Sequence, residues 1–156
     1  MTADLASSLR AGEVSVALPA RFDAGLYFIG RIRTPWRERR ECPRQGDAVA
    51  GPPCRIELFA PWSPALEGIG RHRYLDVLYW MDHARRDIVM QTPNHAPATL
   101  GTFALRSPVR PNPIALSRVA LIACGEAWLD IRGLDCLDGT PLIDIKPEHC
   151  PNAPAG

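Results

Sequence analysis

The chain has 156 residues, of which 46% are apolar and 22% charged, and its net charge at pH 7 is +1, a composition typical of one globular domain. No stretch approaches the ~20 apolar residues of a membrane-spanning helix. The first 25 residues also lack the basic start and apolar run of a secretory signal, so we expect a cytoplasmic protein.

Short apolar runs separated by proline and glycine make up most of the chain. The 16 prolines exclude a helical bundle, because proline breaks helix interiors. Single helical turns are expected at Ser63–Glu67 and at Asp82–Arg86. Eight runs predict strands: Leu26–Arg33, Cys54–Ala60, Tyr74–Asp82, Asp87–Gln91, Leu100–Arg106, Ile114–Cys124, Ala127–Arg132 and Leu142–Lys146. The expected fold class is therefore all-β, a single-domain barrel or sandwich of about eight strands with one or two short helical turns.

The cysteines and histidines give no metal-binding pattern. The five cysteines form no C-x-x-C pair and are odd in number, which argues against a zinc knuckle and a disulfide framework. The four histidines lack the spacing of metal ligands. We therefore expect no metal site.

Charge is distributed unevenly along the chain. The segment from Arg31 to Gln45 has six arginines and two glutamates, whereas the segment from Val119 to the end has six carboxylates and only Arg132 and Lys146. Lys146 is the single lysine, and guanidinium groups suit bidentate phosphate contacts and stacking on bases. A genome rich in G and C would give the same preference for arginine.

A proline-rich loop is predicted between two strands, in the run Phe103–Ser117. Its three prolines, which fall within the six residues 108–113, exclude a central strand and predict a stiff loop that exposes polar groups. A stiff loop loses less entropy when it holds a ligand. Alternatively, its arginines only bond carbonyl groups within the loop. The exposed polar groups expected there are Arg106, Ser107, Arg110, Asn112 and Ser117.

Two further loops contain candidate ligand-binding groups. Asp135 and Asp138 approach an Asp-Gly turn, where a carboxylate could accept hydrogen bonds from ribose hydroxyls or an adenine amine; alternatively, each caps its own turn. The basic loop Arg40–Gly46 follows the first predicted strand, and it could supply arginine and amide donors to phosphates. There is no G-x-G-x-x-G sequence after a strand and no P-loop.

These segments, in this order, resemble the TrmO family, also called TsaA-like, YaeB-like or VirR-like. The resemblance covers about residues 26 to 148, preceded by an N-terminal arm at 1–25 and followed by a tail at 149–156. It includes the proline-rich loop and the Asp-Gly-Thr-Pro-x-x-Asp-Ile-Lys-Pro run that begins at Asp138. Family members often have Phe-His where this chain has Met81-Asp82, and larger relatives carry a further C-terminal domain.

The resemblance implies a homodimeric S-adenosylmethionine-dependent methyltransferase built on a coiled, single-sheeted β-barrel. The implied reaction methylates N6 of threonylcarbamoyladenosine next to the anticodon in tRNA. The family's cofactor contacts correspond here to Pro43, Arg44, Gln45, Met81, Asp82, Arg106, Leu116, Asp135, Cys136, Leu137 and Asp138.

The reaction would be a single in-line displacement, which needs an acceptor for the proton of the adenine amine. Asp138 and Asp82 are the candidate catalytic residues for this role. Candidate substrate contacts are Arg39, Arg40, Arg110 and Asn112. Two alternatives remain open: a regulatory module that binds the nucleoside without turnover, and a methyltransferase for a small molecule or a protein.

Overall fold

A computed structural model of the protein describes residues 9–94 and 98–149. The first eight residues of the predicted arm, His95, Cys150 and the rest of the predicted tail lie outside the described residues. In chain order, the strands are β1 (Val14–Ser15), β2 (Gly30–Arg33), β3 (Pro53–Leu58), β4 (Tyr74–Trp80), β5 (Ile88–Gln91), β6 (Leu100–Gly101), β7 (Ile114–Cys124), β8 (Trp128–Arg132) and β9 (Pro141–Pro147). The helices are short 3₁₀ turns at Arg39–Glu41, Ser63–Leu66, Ile69–Arg71 and Thr102–Ala104.

The chain divides into two compact units. The small unit comprises Met1–Ala24 and His83–Pro113, and the barrel unit comprises Gly25–Asp82 and Ile114–Gly156. Residues 83–113, which the sequence prediction includes in one barrel domain, are thus grouped with the N-terminal arm. The boundaries at 25 and 148 stay a prediction.

The small unit contains a three-stranded antiparallel sheet in the order β1-β5-β6. Val14 pairs with Met90, which in turn pairs with Gly101. The side chains of Gln91 and Thr102 are buried there and hydrogen-bond to each other at 2.7 Å. A buried amide needs such a partner, so this contact helps to fix β5 against the turn that follows β6.

The barrel unit is a closed six-stranded barrel in the order β2-β3-β8-β7-β4-β9, in which every pairing is antiparallel. The closing pair is β9 with β2, where Gly30 lies opposite Leu142. Alternating residues of each strand point inward, as the two-residue period of a strand requires. On β4 the inward series is Leu75, Val77 and Tyr79, all of them buried.

The barrel interior is filled with apolar side chains from all six strands. Two residues of the loop after β8, Leu134 and Cys136, close one part of this core. Trp36, in the loop after β2, packs against the core and remains partly exposed. The buried strand residues are Ile32, Cys54, Ile56, Leu58, Leu75, Val77, Tyr79, Val119, Leu129, Ile131 and Leu142.

The structure confirms the all-β class and a strand within each of the eight predicted runs. The barrel itself has six strands rather than about eight, because β5 and β6 pair with β1 in a separate sheet. The predicted strand Leu100–Arg106 is only two residues long, since a 3₁₀ turn begins at Thr102. The turn expected at Ser63–Glu67 is present, whereas Asp82–Arg86 contains no helix.

Candidate functional site

The turn that contains the two candidate aspartates, Asp135–Asp138, lies against the end of β2; we call it the acidic turn. Oδ1 of Asp138 accepts a hydrogen bond from the backbone N–H of Thr34 at 3.1 Å, and Oδ2 lies 3.5 Å from Nη1 of Arg33. Thr34 in turn donates its hydroxyl to the carbonyl of Cys136 at 2.9 Å. The next residue, Gly139, has a φ of 83°, which a glycine adopts without strain. The acidic turn is therefore anchored firmly to β2.

The basic loop, Arg40–Gly46, packs against the same turn. A Cβ atom at Gly46 would overlap the carbonyl oxygen of Gly133, so the two backbones are in direct contact. Burial and the nearby negative charge of Asp135 raise the pKa of the Cys42 thiol. Two segments at which the family resemblance implies cofactor contacts, Pro43–Gln45 and the acidic turn, are thus neighbours on one end of the barrel.

The side chains of Pro43, Arg44 and Gln45 are exposed on this loop, where a ligand could reach them. In the acidic turn, Leu137 is partly exposed, and Cys136 is buried with 1% of its surface accessible. Burial raises the pKa of the Cys136 thiol, so it stays protonated. The Cys136 side chain is therefore part of the core, and the cofactor contacts expected at positions 135–138 stay a prediction.

Asp135 accepts a short hydrogen bond from inside the barrel. The hydroxyl of Tyr79 donates to Oδ1 of Asp135 at 2.6 Å, and the same hydroxyl lies 2.8 Å from Oγ of Ser117. Burial and the charge of Asp135 raise the pKa of Tyr79 far above its ordinary value. Sequence analysis did not identify Tyr79, and it placed Ser117 among exposed groups of the proline-rich loop, whereas Ser117 lies on β7 and is partly buried. The available signal was a tyrosine at an inward position of β4, since a buried hydroxyl requires a partner.

The proline-rich loop belongs to the small unit as far as Pro113, and it is held by hydrogen bonds to its carbonyl groups. Nη1 of Arg110 donates to the carbonyls of Leu105 and Ser107 at 3.1 and 3.0 Å. Arg86 donates to the carbonyl of Pro111 at 2.6 Å and to Oδ1 of Asn112 at 3.2 Å. For Arg110 this is the alternative that the sequence left open, an arginine that bonds carbonyl groups within the loop. Arg106 is exposed on the same loop.

The remaining candidate residues lie elsewhere on the barrel unit. Met81 continues the inward series of β4 and packs against the core, and Asp82 after it is exposed. Leu116 points outward from β7, on the face opposite to Ser117, with 47% of its surface accessible. Arg39 and Arg40 are exposed in a 3₁₀ turn, where Arg40 pairs with Glu38 at 2.7 Å.

The structure brings together the candidates at positions 43–45 and 135–138. It places Leu116 on an outer face of the barrel and Arg106, Arg110 and Asn112 in the other unit. The convergence of the proline-rich loop with the acidic turn stays a prediction. Within residues 9–94 and 98–149, no group of His, Cys, Asp and Glu side chains is arranged to hold a metal ion, and no helix has the length and hydropathy to cross a bilayer.

Residues 31–152 match the family model of the tRNA-methyltransferase O N-terminal domain. The chain is 48% identical over 146 residues to a protein named as the probable S-adenosyl-L-methionine-binding protein VirR of Rhizobium radiobacter; the match covers 94% of this chain and 83% of the relative. It is 35% identical over 142 residues to the tRNA (adenine(37)-N6)-methyltransferase of Escherichia coli K12, covering 81% of this chain and 60% of that enzyme.

The fold is similar to that of solved TrmO structures. With TrmO from Pseudomonas aeruginosa, the TM-score is 0.66 at 32% sequence identity, and the match covers 86% of this chain and 60% of that one. The chain thus spans about three fifths of the length of the Escherichia coli enzyme and of the Pseudomonas structure.

Proposed function

The chain belongs to the TrmO family, and from this premise we propose that it is an S-adenosylmethionine-dependent methyltransferase that methylates N6 of an adenosine next to the anticodon of tRNA. The observation that carries the proposal is the contact between Gly46 of the basic loop and Gly133, in the loop after β8 that leads into the acidic turn. It makes neighbours of two segments whose residue types suit a nucleoside. tRNA is the substrate named for the Escherichia coli relative, and a tRNA-modifying enzyme would work in the cytoplasm.

The residues of this end of the barrel fit an S-adenosyl nucleoside. Asp135 is partly exposed, and one of its carboxylate oxygens is bound by Tyr79, which leaves the other as an acceptor for a ligand. Carboxylates are suitable acceptors for ribose hydroxyls. The exposed side chains of Arg44 and Gln45 on the adjoining loop can donate to the carboxylate or the base of the nucleoside.

When bound, S-adenosylmethionine supplies an electrophilic sulfonium methyl group that moves to the adenine nitrogen as the carbon–sulfur bond breaks. The protein chiefly aligns donor and acceptor, which can lower the barrier by roughly 7–11 kcal/mol in favourable cases. Asp138 or Asp82 accepts the proton that leaves the adenine amine, so that the nitrogen returns to neutrality. Arg39 and Arg40 contact the RNA. The roles expected of Arg106 at the cofactor and of Arg110 and Asn112 at the substrate stay predictions.

Incubation of the full chain with methyl-labelled S-adenosylmethionine and bulk tRNA tests this proposal. We expect label in RNA that becomes acid-soluble on RNase treatment and that digestion to nucleosides assigns to an N6-methylated adenosine. Label that resists RNase would instead indicate a protein or small-molecule acceptor. An absence of transfer in the presence of measurable binding would overturn the assignment as an enzyme.

A regulatory module that binds the nucleoside without turnover is the second candidate. It is favoured by the names of the more similar relatives, which describe S-adenosyl-L-methionine-binding proteins at 48% and 39% identity. The same experiment separates the two candidates, because a binding module shows saturable affinity for the nucleoside and moves no label.

We also propose that the protein is a homodimer, as the family resemblance implies. The outer face of β7 exposes Ile114, Leu116 and Ile122, each with 39–49% of its surface accessible, and the exposed Arg118 lies between them. A second copy of the chain is the occupant that these exposed apolar side chains suit. Sedimentation equilibrium should give the mass of two chains, and Ile122→Lys should raise the monomer fraction. A wild-type monomer at micromolar concentration would contradict the proposal.

A further inference from the structure

Tyr79 places a polar atom at the inward end of an otherwise apolar strand face. It follows Leu75 and Val77 in the inward series of β4, and only 1% of its surface is accessible. Phenylalanine would fill the same space without a hydroxyl to satisfy. The hydroxyl therefore has a cost of desolvation that its two hydrogen bonds must offset.

The direction of these two hydrogen bonds follows from the donor count. A carboxylate only accepts, so the single proton of Tyr79 is donated to Oδ1 of Asp135. Ser117 must then donate its own proton to the tyrosine oxygen, 2.8 Å away. The three groups form one chain from β7 through β4 to the acidic turn, and successive hydrogen bonds of this kind strengthen each other.

The chain of hydrogen bonds leaves one oxygen of Asp135 available. In the part of the protein that the structure describes, Oδ1 is taken by Tyr79 and no donor contacts Oδ2. Asp135 is partly exposed, and with Oδ1 bound by Tyr79 its Oδ2 is the oxygen that remains for a ligand. A carboxylate held by one oxygen from behind presents the other in a fixed direction.

We propose that Tyr79 and Ser117 are positioning residues, which hold the Asp135 carboxylate so that Oδ2 accepts hydrogen bonds from the ribose hydroxyls of the bound nucleoside. This inference rests on the proposed function, since it assumes the S-adenosyl nucleoside as ligand. It assigns to the buried Tyr79 and the partly buried Ser117 a role in affinity that exceeds their role in packing.

Calorimetric titration of the full chain with S-adenosylhomocysteine tests the proposal. We expect Tyr79→Phe to weaken binding about tenfold, in line with the loss of one hydrogen bond to a charged group, and Ser117→Ala to weaken it about threefold. Tyr74→Phe is the matched control, because Tyr74 lies on the outward face of the same strand and should bind as the wild type does. Thermal unfolding of each variant checks that the barrel persists, and Ser117→Ala carries the test if Tyr79→Phe does not fold.

A double-mutant cycle distinguishes positioning from packing. Asp135→Ala removes the group through which Tyr79 acts, so adding Tyr79→Phe to it should weaken binding less than about twofold further. An S-adenosylhomocysteine analogue without ribose hydroxyls should bind the wild type and Tyr79→Phe with nearly equal affinity. The proposal would be overturned if the decreases in affinity of the two single variants multiplied in the double variant. It would also be overturned if Tyr79→Phe bound the natural nucleoside as tightly as the wild type does. A wild-type protein that binds no nucleoside would instead refute the proposed function itself.

Discussion

The carboxylate of Asp138 anchors the acidic turn and is also a candidate for the proton transfer. Its contacts with the N–H of Thr34 and the guanidinium of Arg33 hold the turn on the end of β2. An asparagine separates the two roles, because its amide oxygen still accepts from Thr34 but cannot take up a proton.

We therefore expect Asp138→Asn to lower the rate of methyl transfer by about 10²-fold or more, while its affinity for S-adenosylhomocysteine stays within about threefold of the wild type. The measurements are initial rates with labelled cofactor and calorimetric titration. Asp144→Asn is the control, since the Asp144 side chain is partly exposed and pairs on β9 with Lys146 at 2.8 Å, so this change should leave both quantities unchanged. Full turnover of Asp138→Asn would remove this residue from the mechanism and leave Asp82 as the candidate.

Among the structural elements, the contact of the basic loop with the loop after β8 depends on one glycine. A methyl group at Gly46 would overlap backbone atoms of Gly133, and neither backbone is the end of a flexible side chain that could move aside. Gly46→Ala should therefore push the basic loop away from the acidic turn.

We expect Gly46→Ala to lower the free energy of unfolding by about 1–3 kcal/mol, as overpacked sites do, and to abolish nucleoside binding at concentrations that saturate the wild type. Urea unfolding and calorimetry measure the two effects. Gly25→Ala provides the comparison, because no atom lies within 4 Å of the added methyl group there. Unchanged nucleoside affinity in Gly46→Ala would show that the contact between the loops does not form the binding site.

A row of ion pairs crosses the outer face of β2, β3 and β8. Glu57 pairs with Arg31 at 2.6 Å, which lowers the pKa of Glu57, and Asp130 pairs with Arg55 at 2.6 Å, which lowers the pKa of Asp130. A carboxyl group whose pKa is lower in the folded state stabilises the fold above its unfolded pKa. That stabilisation is lost as the pH falls through the folded value.

The urea concentration at the midpoint of unfolding should consequently be independent of pH from 7 to about 5. It should decrease once the pH is lower than 4.5 and 3.8, the ordinary pKa values of these two groups. The double variant Glu57→Gln, Asp130→Asn should show a shallower fall, because its neutral side chains do not titrate. The effect is small, since both carboxylates are partly exposed to solvent. If the urea midpoint depended on pH equally in the wild type and the double variant, the acid sensitivity would belong to other carboxylates.

The elements also show how much the sequence could predict. Local signals were enough for eight strands, because the alternation of apolar and polar residues and the prolines and glycines between the runs are local properties of the sequence. The division into two sheets depends on long-range pairing, and the two-residue strand β1 has too short a pattern to reveal its pairing with β5. The hydrogen bonds from Ser117 through Tyr79 to Asp135 join residues 38 and 56 positions apart, which no local pattern indicates.

Over the whole molecule, the net charge of +1 conceals a basic stretch beside the candidate site. The segment from Arg31 to Gln45 leads from β2 through the 3₁₀ turn at Arg39–Glu41 into the basic loop, and its charge balance is positive. Such a stretch suits the phosphates of an RNA whose target adenosine lies on the adjacent acidic turn. RNA affinity that comes from phosphate contacts falls as salt rises, with a slope that counts the contacts.

We expect Arg39→Glu with Arg40→Glu to weaken tRNA binding and to flatten its dependence on salt by about one to two in logarithmic slope, because one or two phosphate contacts are lost. Arg40 is 81% exposed and its partner Glu38 is also at the surface, so the reversal should leave the fold intact. Filter binding at salt concentrations from about 50 to about 300 mM measures the slope. Charge reversal at the exposed Arg71 and Arg118, outside the basic stretch, is the control for net charge and should change the slope less. Nucleoside affinity should be the same in all three proteins. An unchanged salt slope in the Arg39, Arg40 variant would exclude this turn from the RNA interface.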